Sequence, residues 1–229
     1  MFWPDKYYFI FVIPAMLWAM WAQAKVSSTF SKYGQVFSKR GLTASQAARR
    51  ILDDNGLRNI RIERIRGNLT DHYDPTADVI RLSDSVINST SVAAIGVAAH
   101  ECGHAVQHAQ NYSPLIFRNA IIPITNFGSK LAIPLFIAGL FFSTTLCNLG
   151  ILLFSLTALF QLVTLPVEFN ASARALRTLD DWNYLDSGEL RGAKQVLSAA
   201  AMTYVAALAV SLAQLLRLMA IAGSRRRDD

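Results

Sequence analysis

The amino-acid sequence predicts a mainly α-helical protein with a small β-sheet, in which a polar domain is joined to about four transmembrane helices. Two observations support this fold class. Of the 229 residues, 52% are hydrophobic and 17% are charged, whereas soluble domains usually carry about 25% charged residues. The charges are also segregated, because residues 25–81 are rich in them while residues 131–167 contain none.

The first predicted span is YYFIFVIPAMLWAMWAQA, residues 7–24, which holds 18 uncharged residues. A helix needs about 20 apolar residues to cross a bilayer core, and Trp and Tyr are typical of membrane interfaces. The ending AQA also has the form of a signal-peptide cleavage site, but the leading MFWPDK lacks the net positive charge typical of signal peptides. We therefore expect residues 1–24 to form a retained transmembrane helix, with cleavage as the alternative.

Residues 25–118 are predicted to form the polar domain. LTASQAARRILDDNG is typical of an amphipathic helix, with a capping box between Thr43 and Gln46 and a left-handed terminator at Gly56. NIRIERI and DVIRLS alternate β-branched residues and predict short strands, with DHYDPT as a turn between them. The next segment, which contains AAIGVAAHECGHAVQHAQ, predicts a helix that begins near residues 89–91.

The rest of the chain predicts three further spans. Residues 119–167 are apolar except for Lys130 and too long for one span, so we expect a transmembrane hairpin that breaks at CNLG, residues 147–150. A partial or re-entrant first helix, kinked at Pro123 and Pro134, is the alternative. The remaining segments are, in order, a helix, the last span and a polar tail: residues 168–194, 195–222 and 223–229.

Four spans would put residues 25–118 and 168–194 on the same side of the membrane, because a hairpin returns the chain to the side that it left. These two segments hold most of the 22 Lys and Arg residues, and an excess of Lys and Arg marks cytoplasmic loops. We therefore expect a multi-pass cell-membrane protein with a cytoplasmic polar domain. This bias also accounts for the net charge of +6, and without a nucleic-acid-binding signature we expect no nucleic-acid partner.

The polar domain contains the pentapeptide HECGH, an H-E-x-x-H pattern. Residues four apart lie on one helix face, so His100 and His104 can direct two imidazoles at one ion, and Zn²⁺ suits such ligands. Glu101, offset by one residue, can act as general base toward a zinc-activated water. The pattern also occurs by chance in unrelated proteins, but Gly103 and the small residues before His100 favour a closely packed, buried helix.

Two other side chains of this helix are not expected to bind the ion. His108 continues the histidine stripe, but at 1.5 Å per residue it lies about 12 Å from His100 along the helix axis. We interpret it as a surface or packing residue. Cys102 points away from the histidine face, and we expect both Cys102 and Cys147 to be free thiols.

A catalytic zinc ion needs a third protein ligand and an open position for water. Glu168, which opens EFNASARAL directly after Pro166, is the preferred candidate, and His72 is the reserve. The competing explanation for Glu168 is an acidic residue that complements a helix dipole. Ser172, one turn beyond Glu168, is a candidate for supporting a ligand histidine through a hydrogen bond.

AAHECGHAVQ and EFNASARAL, with DHYDP and IRLS upstream and the surrounding spans, resemble the bacterial membrane neutral zinc metallopeptidases of the YugP type. They are more distantly similar to gluzincins of the HtpX and CAAX-protease type. The resemblance implies a zincin-like domain at the membrane face, one catalytic Zn²⁺ held by His100, His104 and Glu168, and Glu101 as general base. It also implies that DVIRLS is an edge strand for pairing with an extended peptide. Ser172 stands where the distant relatives carry Asp, and Asn170 where Asp would be expected in the closer family.

These features predict a membrane-anchored zinc endopeptidase acting on protein or peptide substrates. The alternative is a non-proteolytic zinc-binding membrane scaffold or complex component. A site-2-type protease, with HExxH inside a span, is disfavoured because the uncharged run before His100 begins at Ser85 and is short for a span. The residue that would stabilise the oxyanion stays open, with Tyr73, His72 and Arg174 as candidates.

Overall fold

A computed structural model describes residues 5–225, so most of the predicted polar tail lies outside the described residues. Within this range the chain is mainly helical and contains a small sheet, which confirms the predicted fold class. A π-helical segment, Tyr8–Val12, leads into the first α-helix. The helices and strands are, in chain order, α1 Ile13–Tyr33, α2 Ala44–Asp54, β1 Arg61–Ile65, β2 His72–Asp74, β3 Val79–Ser83, α3 Val92–Ala109, α4 Ser113–Phe142, α5 Thr144–Asp181 and α6 Ser187–Arg225.

Within residues 5–225, four helical segments are long and apolar enough to cross a membrane. They are Tyr8–Tyr33, Ser113–Phe142, Thr144–Asp181 and Ser187–Ser224. The helix α3, which carries HECGH, is not one of them, and most of its residues are buried. The HECGH segment is therefore a buried helix rather than a span, as its short apolar lead-in predicted.

The predicted position of the hairpin break is wrong. Helix α4 ends at Phe142 and α5 begins at Thr144, so the break lies at Ser143, whose Oγ accepts a hydrogen bond from the Thr145 amide at 3.2 Å. CNLG is helical, and its glycine serves packing: a Cβ on Gly150 would lie 2.7 Å from the Ala132 carbonyl oxygen. Helix α4 is continuous over 30 residues although Pro123 and Pro134 lie within it.

The described residues divide into two compact units. Unit 1 consists of residues 5–23, 116–166 and 202–225, and unit 2 consists of residues 24–115 and 167–201. The interior of unit 1 includes a cluster of four buried residues, namely Phe136, Cys147, Leu218 and Ala222. The larger core lies in unit 2, where α2, α3 and the sheet contribute most of the buried side chains.

Local sequence signals account for the helices of unit 2. Thr43 and Gln46 form the predicted capping box of α2, and Gly56 ends the helix with a φ of 75°. Ser91 caps α3, because its side chain accepts a hydrogen bond from the Ala94 amide at 3.2 Å. The side-chain oxygens of Thr43 and Ser91 accept hydrogen bonds from backbone amides that have no partner within the first helical turn.

The sheet corrects two expectations. DHYDPT is not only a turn, because His72–Asp74 forms β2, which pairs antiparallel with β3. The turn follows that strand, where Asp74 Oδ1 accepts hydrogen bonds from the amides of Thr76 and Ala77. DVIRLS is also not an edge strand: the order is β1-β3-β2, so β3 is central, and the outer strands of the described sheet are β1 and β2.

We predict that residues 5–24 stay in the mature protein. Helix α1 runs without a break through the AQA sequence to Tyr33, so cleavage there would cut a helix in its middle. The Asp5 carboxylate also accepts hydrogen bonds from buried Arg217, from Nε at 2.9 Å and from Nη2 at 2.7 Å. Cleavage would remove one partner of an ion pair in which Arg217 is buried and Asp5 is partly exposed, and such a loss is destabilising. Intact-mass spectrometry of the purified protein should show these residues, and a species that begins at Lys25 would contradict the prediction.

Candidate metal centre

Helix α3 brings two imidazoles together in unit 2. His100 and His104 are one turn apart, their ring centroids are 4.7 Å apart, and their Nε2 atoms are separated by 3.1 Å. Both side chains are largely buried. The spacing of four residues places both rings on one face of the helix, as the sequence pattern predicted.

Helix α5 brings a carboxylate to the same point. Glu168 is 4% exposed, and its Oε2 lies 3.3 Å from His100 Nε2 and 3.5 Å from His104 Nε2. Among the described residues, this is the group of three His, Cys, Asp or Glu side chains whose ligand atoms all lie within 4.8 Å of one another. The reserve candidate, His72, lies elsewhere in β2, with its Nδ1 2.9 Å from the Thr70 carbonyl oxygen.

The residues fit a zinc ion. Two imidazoles and a carboxylate are a ligand set that zinc takes in proteins, and ligand atoms bound to a tetrahedral zinc at its usual bond lengths lie roughly 3.3 Å apart. The three separations here, 3.1, 3.3 and 3.5 Å, bracket that value. Three electron-rich atoms held so close together repel one another unless a cation or protons lie among them.

The surroundings of His104 favour a positive charge on its ring. Burial alone would lower the pKa of this histidine, but hydrogen bonding to Glu168 and the nearby charge of Glu101 outweigh burial and raise its pKa above the ordinary value. A metal ion bound here would compete with a proton for His104 Nε2, the nitrogen that faces Glu168.

A backbone contact brings α5 to α3. A Cβ on Gly103 would lie 2.6 Å from the Ala171 carbonyl oxygen, closer than side-chain carbons approach an oxygen. Gly103 lies between the two histidines and next to the second, and Ala171 lies three residues beyond Glu168. The glycine therefore lets α5 approach until Glu168 faces both imidazoles.

Each histidine has a polar neighbour at its other ring nitrogen. Ser172 Oγ lies 3.1 Å from His100 Nδ1, which is the contact expected for this candidate. Gln107 Oε1 lies 3.0 Å from His104 Nδ1. Sequence reasoning missed Gln107, because a glutamine on a helix is usually a surface residue. Its position three residues after His104, on the same helix face, was the available signal.

Glu101 is 8% exposed and follows His100 directly in α3. Cys102 points away from the histidine face, as predicted, because its Sγ donates to the Ala48 carbonyl oxygen at 3.6 Å. Burial raises the pKa of its thiol. Neither Cys102 nor Cys147 is part of a disulfide bond.

The remaining candidates lie outside the histidine–glutamate group. His108 Nδ1 is 3.0 Å from the Tyr73 hydroxyl oxygen, so these two side chains pair with each other. Arg174 donates from Nε to Asn170 Oδ1 at 2.7 Å and from Nη1 to Gln110 Oε1 at 2.6 Å. None of these contacts assigns an oxyanion-stabilising role to Tyr73, His72 or Arg174.

The chain is similar to known proteins over most of its length. The family described as "Putative neutral zinc metallopeptidase" matches residues 8–223. The chain is also 50% identical over 215 residues to a Bacillus subtilis protein named "Putative membrane protease YugP", covering 93% of this chain and 96% of that protein. No solved structure matches the chain.

We predict that Gly103→Ala weakens both folding and zinc binding. The added methyl group must push the Ala171 carbonyl away, and such overpacking costs about 1–3 kcal/mol of unfolding free energy. It should also carry Glu168 away from the histidines. Thermal unfolding and titration with zinc would measure the two effects.

Gly96→Ala is the matched control for this substitution. It lies in the same helix and gains the same helix propensity, but its Cβ would meet the Ala193 methyl group at 3.3 Å rather than a backbone oxygen. We expect the Gly96 variant to keep zinc affinity. Equal zinc affinity in the wild-type protein and the Gly103 variant would show that the close approach does not position Glu168.

Proposed function

Since the chain belongs to the family of neutral zinc metallopeptidases, we propose that it is a membrane-anchored, zinc-dependent endopeptidase acting on protein or peptide substrates. One observation carries the proposal: three buried or half-buried ligand atoms, from His100, His104 and Glu168, lie at mutual distances that suit a single zinc ion. Three protein ligands leave a fourth position for water, which distinguishes catalytic zinc sites from closed structural ones.

The proposed division of labour follows from the chemistry of each group. A zinc ion held by His100, His104 and Glu168 would supply a Lewis acid that polarises the scissile carbonyl group and lowers the pKa of a bound water. Glu101, next to His100 but not in the ligand group, takes the proton from the attacking water and delivers it to the leaving amine. A buried carboxylate suits this exchange, because exclusion of bulk water keeps the transferred proton at Glu101.

Ser172 and the helix packing have supporting roles in this proposal. Ser172 holds the His100 ring at Nδ1, which leaves Nε2 directed at the ion. Such partners of ligand histidines commonly set ring orientation. The serine does this although the distant relatives carry Asp at the corresponding position, because a hydroxyl oxygen also accepts a hydrogen bond from an imidazole.

We further propose that residues 25–118 and 168–194 form the catalytic domain of a multi-pass cell-membrane protein and face the cytoplasm. The grouping of residues 24–115 with 167–201 in one compact unit supports the first part. The concentration of Lys and Arg in these segments supports the second part.

Glu101→Gln should abolish cleavage while zinc stays bound. Glutamine keeps the shape of the side chain but cannot take up a proton, and loss of a general base typically lowers the rate about 10²–10⁴-fold. Cleavage of an unfolded protein substrate in detergent and zinc content by mass spectrometry are the two measurements.

Glu63→Gln is the control for loss of a negative charge, because Glu63 pairs with Arg61 on β1, outside the ligand group. It should cleave like the wild-type protein. Cleavage by the Glu101 variant at the wild-type rate would refute its proposed role. Wild-type protein that holds zinc but cuts no peptide would favour the zinc-binding scaffold instead.

Glu168→Ala should release the metal. Two neutral imidazoles alone hold zinc far more weakly than three ligands that include a carboxylate. Competition with a chelating dye would measure the affinity, with His72→Ala as the control that retains zinc. Tightly held zinc in the Glu168 variant would exclude Glu168 as a ligand.

A further inference from the structure

We propose that Gln107 is a positioning residue that fixes the tautomer of His104, through a chain of hydrogen bonds whose direction is set by Arg174 and by the Val167 carbonyl group. This inference deepens the proposed function, since it rests on His104 being a metal ligand. It concerns how the protein presents that ligand, and it is independent of whether peptides are the substrate.

Gln107 is a fully buried polar side chain whose amide is used at both ends. It is 0% exposed. Its Nε2 donates to the Val167 carbonyl oxygen at 2.8 Å and to Asn170 Oδ1 at 3.0 Å. Its Oε1 faces His104 Nδ1 at 3.0 Å. A buried amide placed for these contacts joins α3 to two residues of α5 near Glu168: Val167, which precedes it, and Asn170, two positions after it.

The direction of the hydrogen bonds follows from Arg174. A guanidinium group only donates, so the Asn170 atom 2.7 Å from Arg174 Nε must be the oxygen Oδ1. That oxygen can receive a further hydrogen bond only from a donor, so the nearby Gln107 atom must be Nε2. The Val167 carbonyl oxygen requires the same orientation independently, because it too can only accept.

The orientation of Gln107 then determines which nitrogen of His104 carries the proton. With Nε2 committed to two acceptors, the Gln107 atom facing His104 is the oxygen Oε1, which cannot donate. His104 must therefore donate from Nδ1. In the neutral ring this leaves the lone pair on Nε2, the atom that lies 3.5 Å from Glu168 Oε2 and 3.1 Å from His100 Nε2.

The contact at the outer nitrogen of His100 differs from that at His104. Its Nδ1 contacts Ser172 Oγ, and a hydroxyl group can either donate or accept. That contact supports the ring but does not by itself select a tautomer. Of the two histidines, His104 is the one whose protonation pattern is dictated by groups that cannot reverse their roles.

The first experiment reads the tautomer directly in the intact, zinc-loaded protein. The chain has four histidines, so ¹⁵N-histidine labelling gives a simple imidazole spectrum in detergent. We expect His104 to carry a proton on Nδ1 that exchanges slowly with solvent, and to bind the metal through Nε2. Binding through Nδ1, or zinc bound without His104, would overturn the proposal.

The second experiment removes only the hydrogen bonds of Gln107. Gln107→Met keeps the length of the side chain, and Asn170 keeps its contact with Arg174. Loss of an outer partner of a metal-binding histidine typically weakens metal binding about 10–100-fold, and we expect a loss of that size together with faster exchange of the Nδ1 proton. Unchanged zinc affinity and an unchanged Nδ1 signal would overturn the proposal.

Gln110→Met is the matched control. It makes the same substitution three residues further along, at a side chain that also contacts Arg174 but does not contact a histidine ligand. An exposed site of this kind should change zinc affinity by no more than about twofold. If Gln107→Met does not fold, the wild-type spectrum alone decides the proposal. Neither experiment uses cleavage, so a protein that shows the expected tautomer but cuts no peptide would refute only the endopeptidase function.

Discussion

The close approach of two helix backbones at Gly103 and Ala171 is the constraint on which the candidate metal centre depends. Ligand side chains are short, so a carboxylate on one helix reaches two imidazoles on another only when the helices nearly touch. Gly103 removes the methyl group that would prevent this approach. Because Gly103 has no side chain, α5 can come close enough for Glu168 to be buried beside His100 and His104.

Bringing three electron-rich groups together inside a protein is unfavourable without compensation. Neighbouring groups hold the two rings in place, and the carboxylates favour a proton or a cation at this point. Hydrogen-bonding groups at the outer ring nitrogens keep the inner nitrogens directed at one point, and the carboxylates of Glu101 and Glu168 raise the affinity of His104 for positive charge. The arrangement therefore suits a cation lying among the three groups.

Much of the fold follows from local patterns. The capping box at Thr43, the terminator at Gly56 and the serine cap of α3 are signals within a few residues, and all three appear in the structure. The failures have a common physical origin. DHYDPT contains a strand because it pairs with β3, and CNLG is helical because Gly150 packs against α4; both outcomes depend on partners that are distant in sequence. The central position of β3 likewise depends on which strands it meets.

The sequence by itself determined the spacing of His100 and His104, the apolar segments long enough to span a membrane, and the small set of acidic residues that could complete the site. These features depend on helix periodicity and composition, which are local properties. Only the tertiary structure decided that Glu168 rather than His72 lies beside the histidines, and that Gln107 is buried against Val167 and Asn170. Both depend on how closely α5 approaches α3, and that distance is set by contacts between residues more than 60 positions apart, as in the hydrogen bond from Gln107 to Asn170 with a separation of 63.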